Sequence, residues 1–340
     1  MDAAIPAPTT ARRIWDRLGV IGILAVLAVI GILIFYAITP VKTTAVLAQM
    51  IRQSTPLVLG ALCGLIGERS GIINIGIEGQ MLMAAFIGFL VNVYTGNLFI
   101  AILAGVGTGM VLGAFLAFMS VTLKMDQIIG GTVINILATG LTGFFYVAGL
   151  TTQGKLQPIA IPGLADLPLV GAVFFNWPPI TYLTFILVIV VHYILFYTRW
   201  GLRSRAVGEN PRAADTVGIN VFLMRYVNVT VAGGVAGLAG AYLTLESVGS
   251  FERLMTNGRG FIALAVMIFG KWTPFGAWGA ALIFALAIAV QNQLQFEGLL
   301  TIPHQFIGMF PYLVTIIILA GVVGRSRPPA AIGQPYEKEG

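Results

Sequence analysis

The sequence predicts an all-α protein, a bundle of helices that crosses a membrane about ten times. Its 340 residues are 58% hydrophobic and only 9% charged, whereas soluble domains carry about 25% charged residues. The mean hydropathy is +0.93, and the apolar runs approach the ~20 residues that a spanning helix requires. Segments of alternating polarity, typical of membrane β-barrels, are absent. The spans are therefore predicted to be helices, which satisfy their own backbone polar groups in lipid.

The predicted spans follow one another through mostly short connections. The first comes after three arginines and is longer than the apolar core of a signal peptide, so we expect it to be retained. The eighth is too short to cross unaided at about 1.5 Å per residue, which predicts a half-helix or a helix tilted against its neighbours. In order, the spans cover residues 19–38, 45–66, 72–94, 98–122, 127–149, 180–198, 226–247, 260–270, 275–295 and 308–323.

The distribution of basic residues predicts the orientation. With a cytoplasmic N-terminus and alternating spans, 14 of the 19 lysines and arginines lie on the cytoplasmic side, as the positive-inside rule requires. Cytoplasmic tails, residues 1–18 and 324–340, then flank one transmembrane domain, residues 19–323. An external loop covers residues 150–179, and a basic cytoplasmic loop covers residues 198–225. The C-terminal tail is rich in proline and glycine, a composition that predicts disorder.

Composition also excludes several classes of function. Membrane orientation explains the net charge of +6 better than nucleic-acid binding does. The single cysteine, Cys63, cannot form an intramolecular disulfide and is expected to be a buried, inert thiol. The two histidines, His192 and His304, form no metal-ligand pattern, so we expect no bound metal. Glycine-rich runs at residues 105–113 and 233–240 predict close packing of helix backbones.

Residues 68–80 interrupt the apolar pattern between the second and third spans. The segment holds two glutamates and one arginine together with Gly71, Gly76 and Gly79. Polar groups are costly at membrane depth, so a functional site is the default interpretation. The glycines can loosen the helix and let backbone groups face a cavity, as in the broken helices of transporters.

The polar side chains of this segment have two interpretations. Asn74, Glu78 and Gln80 are candidates for a substrate pathway, because they offer the hydrogen bonds that a ribose hydroxyl or a base edge requires. The same side chains could instead form a structural hydrogen-bond network. Glu68 and Arg69 are expected to be an interfacial pair at the cytoplasmic end of the second span.

The fifth span adds two polar candidates. Thr132 and Asn135 lie three residues apart and therefore share one face of a helix. This face could line a substrate pathway, or it could make hydrogen bonds to a neighbouring helix. The sequence leaves both alternatives open.

The basic cytoplasmic loop predicts a short helix. Asn210 can cap it, Pro211 suits its first position, and Gly218 can end it. Such a helix would suit docking into a groove of a partner protein, whereas the alternative is a solvated loop of the positive-inside kind. Its small apolar face is expected to comprise Ala213, Ala214 and Val217.

Three segments resemble a known family. They are Glu68–Gln80, Gly201–Val221 and Asn257–Trp272. Together they resemble the permease subunits of bacterial ABC importers in the ribose and branched-chain amino acid group. The second and third are most similar to permeases that import nucleosides with lipoproteins of the basic-membrane-protein type. The resemblance extends over about residues 45–323.

The resemblance implies the partners and the location of this chain. It implies a bacterial inner-membrane complex with an ATPase subunit, a second, related permease, and an external substrate-binding lipoprotein that delivers nucleosides. The chain contains no Gly-x4-Gly-Lys-Ser/Thr motif, so ATP and Mg²⁺ would be bound by the ATPase, and this chain would be neither an enzyme nor a holder of a cofactor. The resemblance further implies an ATPase-coupling helix that includes Arg205, Gly208, Glu209, Asn210, Pro211, Ala213, Ala214 and Gly218.

Alternatives remain at the level of substrate and mechanism. Ribose or another simple sugar is the second substrate class, and branched-chain amino acids are the third. A stand-alone carrier driven by an ion gradient would use Glu78 and Glu246 as coupling carboxylates. The docking helix argues against such a carrier, because a carrier without an ATPase has no need of it. No constellation of catalytic residues supports an intramembrane enzyme.

Overall fold

The structure, a computed structural model, describes residues 30–297, 313 and 327–338. Within this part, seven helices are long and apolar enough to cross a membrane. An eighth apolar helix, Arg259–Phe269, is shorter. The prediction of a polytopic helical fold is confirmed. The first predicted span lies partly outside the described residues and the tenth almost wholly outside them, so the count of ten stays approximate.

The helices are numbered α1–α12 along the chain, and two short strands form an antiparallel pair in the loop before α7. Two of the helices continue as π-helical turns, α4 through Phe118–Thr122 and α10 through Tyr242–Val248. The elements are α1 (described residues 30–38), α2 (Pro40–Glu68), α3 (Ile77–Thr95), α4 (Leu98–Ala117), α5 (Gln127–Phe144), β1 (Ile159–Ala160), α6 (Val170–Phe174), β2 (Asn176–Trp177), α7 (Pro179–Tyr197), α8 (Arg199–Glu209), α9 (Pro211–Thr216), α10 (Val221–Ala241), α11 (Arg259–Phe269) and α12 (Pro274–Glu297).

The third span differs from its prediction at its start. It was predicted from residue 72, but α3 begins only at Ile77. Gly71 adopts a positive φ of 89°, which ends the helical path after α2, and residues with a side chain rarely take that conformation. Residues 69–76, called the break below, are therefore not helical.

Helix α2 is the centre of the bundle and packs against α10, α11 and α12. Its side chains from Ile51 to Leu65 are largely buried, with Leu59 and Leu62 fully so. Close packing of the glycine-rich faces of α4 and α10 is confirmed. A Cβ atom on Gly109 would lie 2.2 Å from the carbonyl oxygen of Gly233, so only glycine permits this approach.

The prediction of a disordered C-terminal tail is wrong for residues 327–338. Ala331 and Tyr336 are buried, with exposed fractions of 4% and 6%. Tyr336 packs in a cluster with Val207, Ala214 and Met224. Proline and glycine content reports only the chain's own tendency to order, whereas this segment is ordered by contacts with distant residues.

Candidate functional site

Helix α11 and the turn after it are hydrogen-bonded to residues on both sides of the break. At its N-terminus, the carboxylate of Glu78 accepts hydrogen bonds from the N–H groups of Gly258 (2.8 Å) and Gly260 (2.6 Å). Just beyond its C-terminus, the indole N–H of Trp272 donates to the Glu68 carboxylate at 2.6 Å. The Arg69 guanidinium donates to the carbonyl oxygen of Trp272, at 2.7 Å from Nη2. Helix α11 and the break therefore form one clamped unit.

The clamp separates Glu78 from Glu68 by about the length of α11. Helix α11 has 11 residues and at 1.5 Å per residue is about 16 Å long, roughly half of a ~30 Å hydrocarbon core. Glu68 lies at one end of this length and Glu78 at the other. Helix α11 is thus a half-helix, as its length predicts, and the Glu78 carboxylate stabilises the positive end of its dipole.

A strained turn positions the Trp272 side chain against Glu68. Lys271 and Trp272 follow α11 with positive φ angles of 53° and 52°, a conformation that residues other than glycine seldom adopt. The indole is 5% exposed. Because such strain persists only where the surroundings hold it, the bonds to Glu68 and Arg69 account for this turn.

Helix α5 closes the other side of the break. Asn135 accepts from the N–H of Gly79 (2.7 Å) through Oδ1 and donates to the carbonyl oxygen of Ile75 (3.1 Å) through Nδ2. The side chain of Gln127 accepts from the N–H of Ile73 at 2.6 Å. Non-helical backbone at membrane depth needs such partners, since lipid offers none.

Asn74 and Gln80 lie together in the interior. Their exposed fractions are 1% and 0%, and Nδ2 of Asn74 donates to Oε1 of Gln80 at 3.0 Å, beside the buried Cys63. Oδ1 of Asn74 and Nε2 of Gln80 have no hydrogen-bond partner in the part of the chain that the structure describes. In this conformation the pair joins α2, the break and α3, and a substrate could reach it only if the break opened.

The five predicted pathway residues thus occupy different environments. Asn74, Gln80 and Asn135 hydrogen-bond within or beside the break, and Glu78 is half-buried at the start of α11. Thr132 is exposed, one turn before Asn135 on α5, and its hydroxyl donates to Ile128. Their role in substrate passage stays a prediction, and of the five only Thr132 is exposed.

The predicted cytoplasmic helix is confirmed as α9. Oδ1 of Asn210 accepts from the N–H of Ala213 at 3.1 Å, and Pro211 is the first helical residue. Gly218 follows with a φ of 82°. The predicted apolar face is split, because Ala214 is buried while Ala213 and Val217 are exposed.

Helix α8 rests directly on the break. A Cβ atom on Gly208 would lie 2.3 Å from the carbonyl oxygen of Arg69, so glycine is required at this contact. The guanidinium groups of Arg205 and Arg69 lie over the ring of Phe196, at 5.1 and 5.5 Å from its centroid. A movement of α8 would therefore displace the break.

Sequence reasoning missed Arg225, which was counted only as a basic residue of the cytoplasmic side. Its side chain is 1% exposed and donates to the carbonyl oxygens of Ser70 (3.2 Å) and Gln334 (3.0 Å). Arg225 lies four residues after the start of the apolar helix α10, and nothing in the local sequence indicates that it contacts the break.

Glu246 lies on the external side of the bundle. Its carboxylate accepts from the N–H groups of Ile180 (2.8 Å) and Thr181 (3.2 Å) and from the Thr181 hydroxyl (2.6 Å). It therefore caps α7, whose first residue is Pro179. Among the described residues, no group of three or more metal-ligating side chains lies together.

Comparisons with known proteins assign the chain to a family. Residues 46–319 match the family described as the permease component of branched-chain amino acid transport systems. The nucleoside ABC transporter permease protein NupC of Lactococcus lactis subsp. cremoris is 38% identical over 308 residues, 86% of this chain and 96% of that protein. The guanosine ABC transporter permease protein NupQ of Bacillus subtilis is 40% identical over 306 residues, 84% and 94% of the two chains.

A relative with another substrate in its name is also similar. The putative glucose ABC transporter permease protein TsgC13 of Haloferax volcanii is 37% identical over 316 residues, 85% of this chain and 96% of that protein. The family match over residues 46–319 includes the break, the α8–α9 pair and α11. The chain belongs to the permease family of branched-chain amino acid transport systems and is a multi-pass membrane transport subunit.

Proposed function

We propose that this chain is the permease subunit of an ABC importer for nucleosides in a cell inner membrane. The observation that carries the proposal is the contact between Gly208 and Arg69, because it joins an exposed cytoplasmic helix pair to a broken membrane helix. The nucleoside substrate is supported by the relatives at 38% and 40% identity, whose names specify nucleosides and guanosine.

The α8–α9 pair is the docking element for a separate ATPase. Val217 is 74% exposed and Ala213 is exposed beside it, so α9 offers a small apolar face to a groove of a partner. Arg203 and Arg212, both exposed, add positive charge around this face. ATP and Mg²⁺ bind to that ATPase, and this chain carries out no covalent step.

Alternating access follows from the clamp. When the ATPase moves α8, the contact at Gly208 transmits the displacement to the break, and α11 follows because it and the turn after it are bonded to residues on both sides of the break. The pathway would open along Thr132 and Glu78, beside a second and related permease. A nucleoside presents hydroxyl groups and base edges that such polar side chains can bind. An external substrate-binding lipoprotein delivers the substrate.

A simple sugar is the second candidate substrate. The relative at 37% identity that is named a putative glucose ABC transporter permease favours it. A sugar offers hydroxyl groups like those of the ribose in a nucleoside. An ion-coupled carrier is disfavoured by geometry. The carboxylates of Glu78 and Glu246 each accept two backbone N–H groups at a helix N-terminus, which gives both a structural task.

Uptake in cells tests the substrate. A strain that carries the whole complex is compared with one that lacks only this chain, using radiolabelled guanosine, uridine, ribose and glucose with unlabelled competitors. Loss of nucleoside uptake alone is the expected result. Loss of sugar uptake alone would keep the importer and overturn its substrate, and uptake that persists after ATP depletion would overturn the ABC mechanism.

A further inference from the structure

The C-terminal strap, residues 327–338, joins α8 to the break through backbone hydrogen bonds. The N–H of Ala331 donates to the carbonyl oxygen of Gly208 at 2.9 Å. Two residues later, the N–H of Gly333 donates to the carbonyl oxygen of Gly71 at 3.0 Å. The strap thus reaches both partners of the contact through which α8 touches the break.

Arg225 ties the strap to a third element. From α10, its guanidinium donates to Ser70 in the break and to Gln334 in the strap. Its Nη2 atom would lie 3.0 Å from a Cβ atom on Gly71, so the side chain fills the space that glycine leaves. Hydrogen bonds from a charged donor are stronger than neutral ones, and here one buried guanidinium serves α10, the break and the strap.

The far end of the strap is anchored by a buried aromatic side chain. The ring of Tyr336 packs with Val207 of α8, Ala214 of α9 and Met224 of α10. The Glu209 carboxylate, at the end of α8, also accepts from the N–H of Ala330 at 3.2 Å. A fully packed tyrosine contributes far more than an exposed ion pair, so Tyr336 is the main anchor.

A peripheral ion pair extends the strap towards the loop between α4 and α5. Lys124 and Glu337 are 2.6 Å apart, and both are exposed. The hydrogen bond from Lys124 lowers the pKa of the Glu337 carboxyl. Exposed ion pairs of this kind contribute little to the free energy of folding. The pair is therefore a minor contact of the strap.

The strap therefore makes hydrogen bonds both to α8, which the ATPase would move, and to the break, which would follow. The hydrogen bond to Gly71 shows that the strap does more than cover α8. The packing of Tyr336 against α8 and α9 shows that it does more than cover the break. We propose that the C-terminal strap is a coupling device that makes the α8–α9 pair and the break move as one body, so that ATPase movement is delivered to the pathway. This inference rests on the proposed ABC mechanism.

The test uses the complete complex in proteoliposomes and measures guanosine uptake and ATP hydrolysis in the same samples. The variants are a chain that ends at residue 326, Tyr336→Ala, and two controls: Tyr336→Phe, which keeps the ring, and Lys338→Ala at an exposed position of the strap. Truncation and Tyr336→Ala should lower guanosine transported per ATP by about tenfold, within the usual range of coupling between sites, while hydrolysis continues. Lys338→Ala should match the wild type, and Tyr336→Phe should lose less coupling than Tyr336→Ala because it keeps the packed ring.

Two outcomes would contradict the coupling role of the strap. One is an unchanged ratio of uptake to hydrolysis in the truncated and Tyr336→Ala complexes. The other is an equal loss of both activities, which indicates a merely structural role. If the truncated chain fails to assemble, the comparison of uptake per ATP between Tyr336→Ala and Tyr336→Phe tests the proposal instead. A wild-type complex with no ATP-dependent uptake overturns the proposed function itself, whatever the variants do.

Discussion

The carboxylate of Glu78 accepts a hydrogen bond of 2.6 Å from the N–H of Gly260, a residue 182 positions away in the chain. A Cβ atom on Gly260 would lie 2.5 Å from the Cα atom of Glu78, so the two backbones touch. This contact joins the start of α3 to the start of the half-helix α11. Together with the bond between Glu68 and Trp272, it makes the break and α11 a single mechanical part.

Replacing Glu78 by glutamine should destabilise this part. The amide has one oxygen for two N–H donors and no charge for the helix dipole, and a cap of this kind is worth about 1 kcal/mol. The unfolding midpoint of the purified protein should fall by about 2–4 °C. Glu252→Gln, at an exposed position, is the control. Transport lost at unchanged stability would instead favour a coupling carboxylate and an ion-driven carrier.

Gly208→Ala should separate α8 from the break. The new Cβ atom would lie 2.3 Å from the carbonyl oxygen of Arg69, so α8 must shift. We expect guanosine uptake by the complex to fall at least about tenfold, the range typical of lost coupling, while the chain still inserts into the membrane. Gly140→Ala, where a Cβ atom meets nothing within 4 Å, should transport normally. Normal uptake by Gly208→Ala would contradict transmission through this contact.

Gly109→Ala should disrupt the packing of α4 on α10. Its Cβ atom would lie 2.2 Å from the carbonyl oxygen of Gly233, and backbone atoms on both sides leave no room for relief. Overpacking typically costs about 1–3 kcal/mol, measured as a lower unfolding midpoint in detergent. Gly107→Ala, two residues earlier on the same helix, meets nothing within 4 Å and should leave the midpoint unchanged. Equal midpoints for the two variants would argue against this close approach.

Val217→Asp should weaken the proposed docking to the ATPase. The side chain is 74% exposed, so the fold of this chain should tolerate the change, whereas a carboxylate in an apolar groove should reduce affinity by at least about tenfold, or 1.4 kcal/mol. Co-purification of the ATPase with membranes measures the effect. Val217→Ile keeps the surface apolar and should retain the ATPase. Retention by Val217→Asp would place the docking surface elsewhere.

Some of these features could be predicted from the sequence, and others could not. Thr132 and Asn135 share a face because of helical spacing, but their neighbours differ: Thr132 is exposed, whereas Asn135 bonds with Gly79 and Ile75. Helical periodicity specifies the face of a residue and not the segment that packs against it. The same limitation applies to the split of Ala213, Ala214 and Val217 around α9.

The sequence by itself determined the helical membrane architecture, the short eighth span and the Asn210 cap of α9, because hydropathy and capping act between residues near one another in the chain. Only the tertiary structure decided that Glu78 meets Gly260, that Arg225 joins the break to the strap, and that Tyr336 orders a tail rich in proline and glycine. The physical reason is sequence distance: these contacts arise from packing between remote segments, and no local pattern specifies which remote partner a polar or aromatic side chain will find.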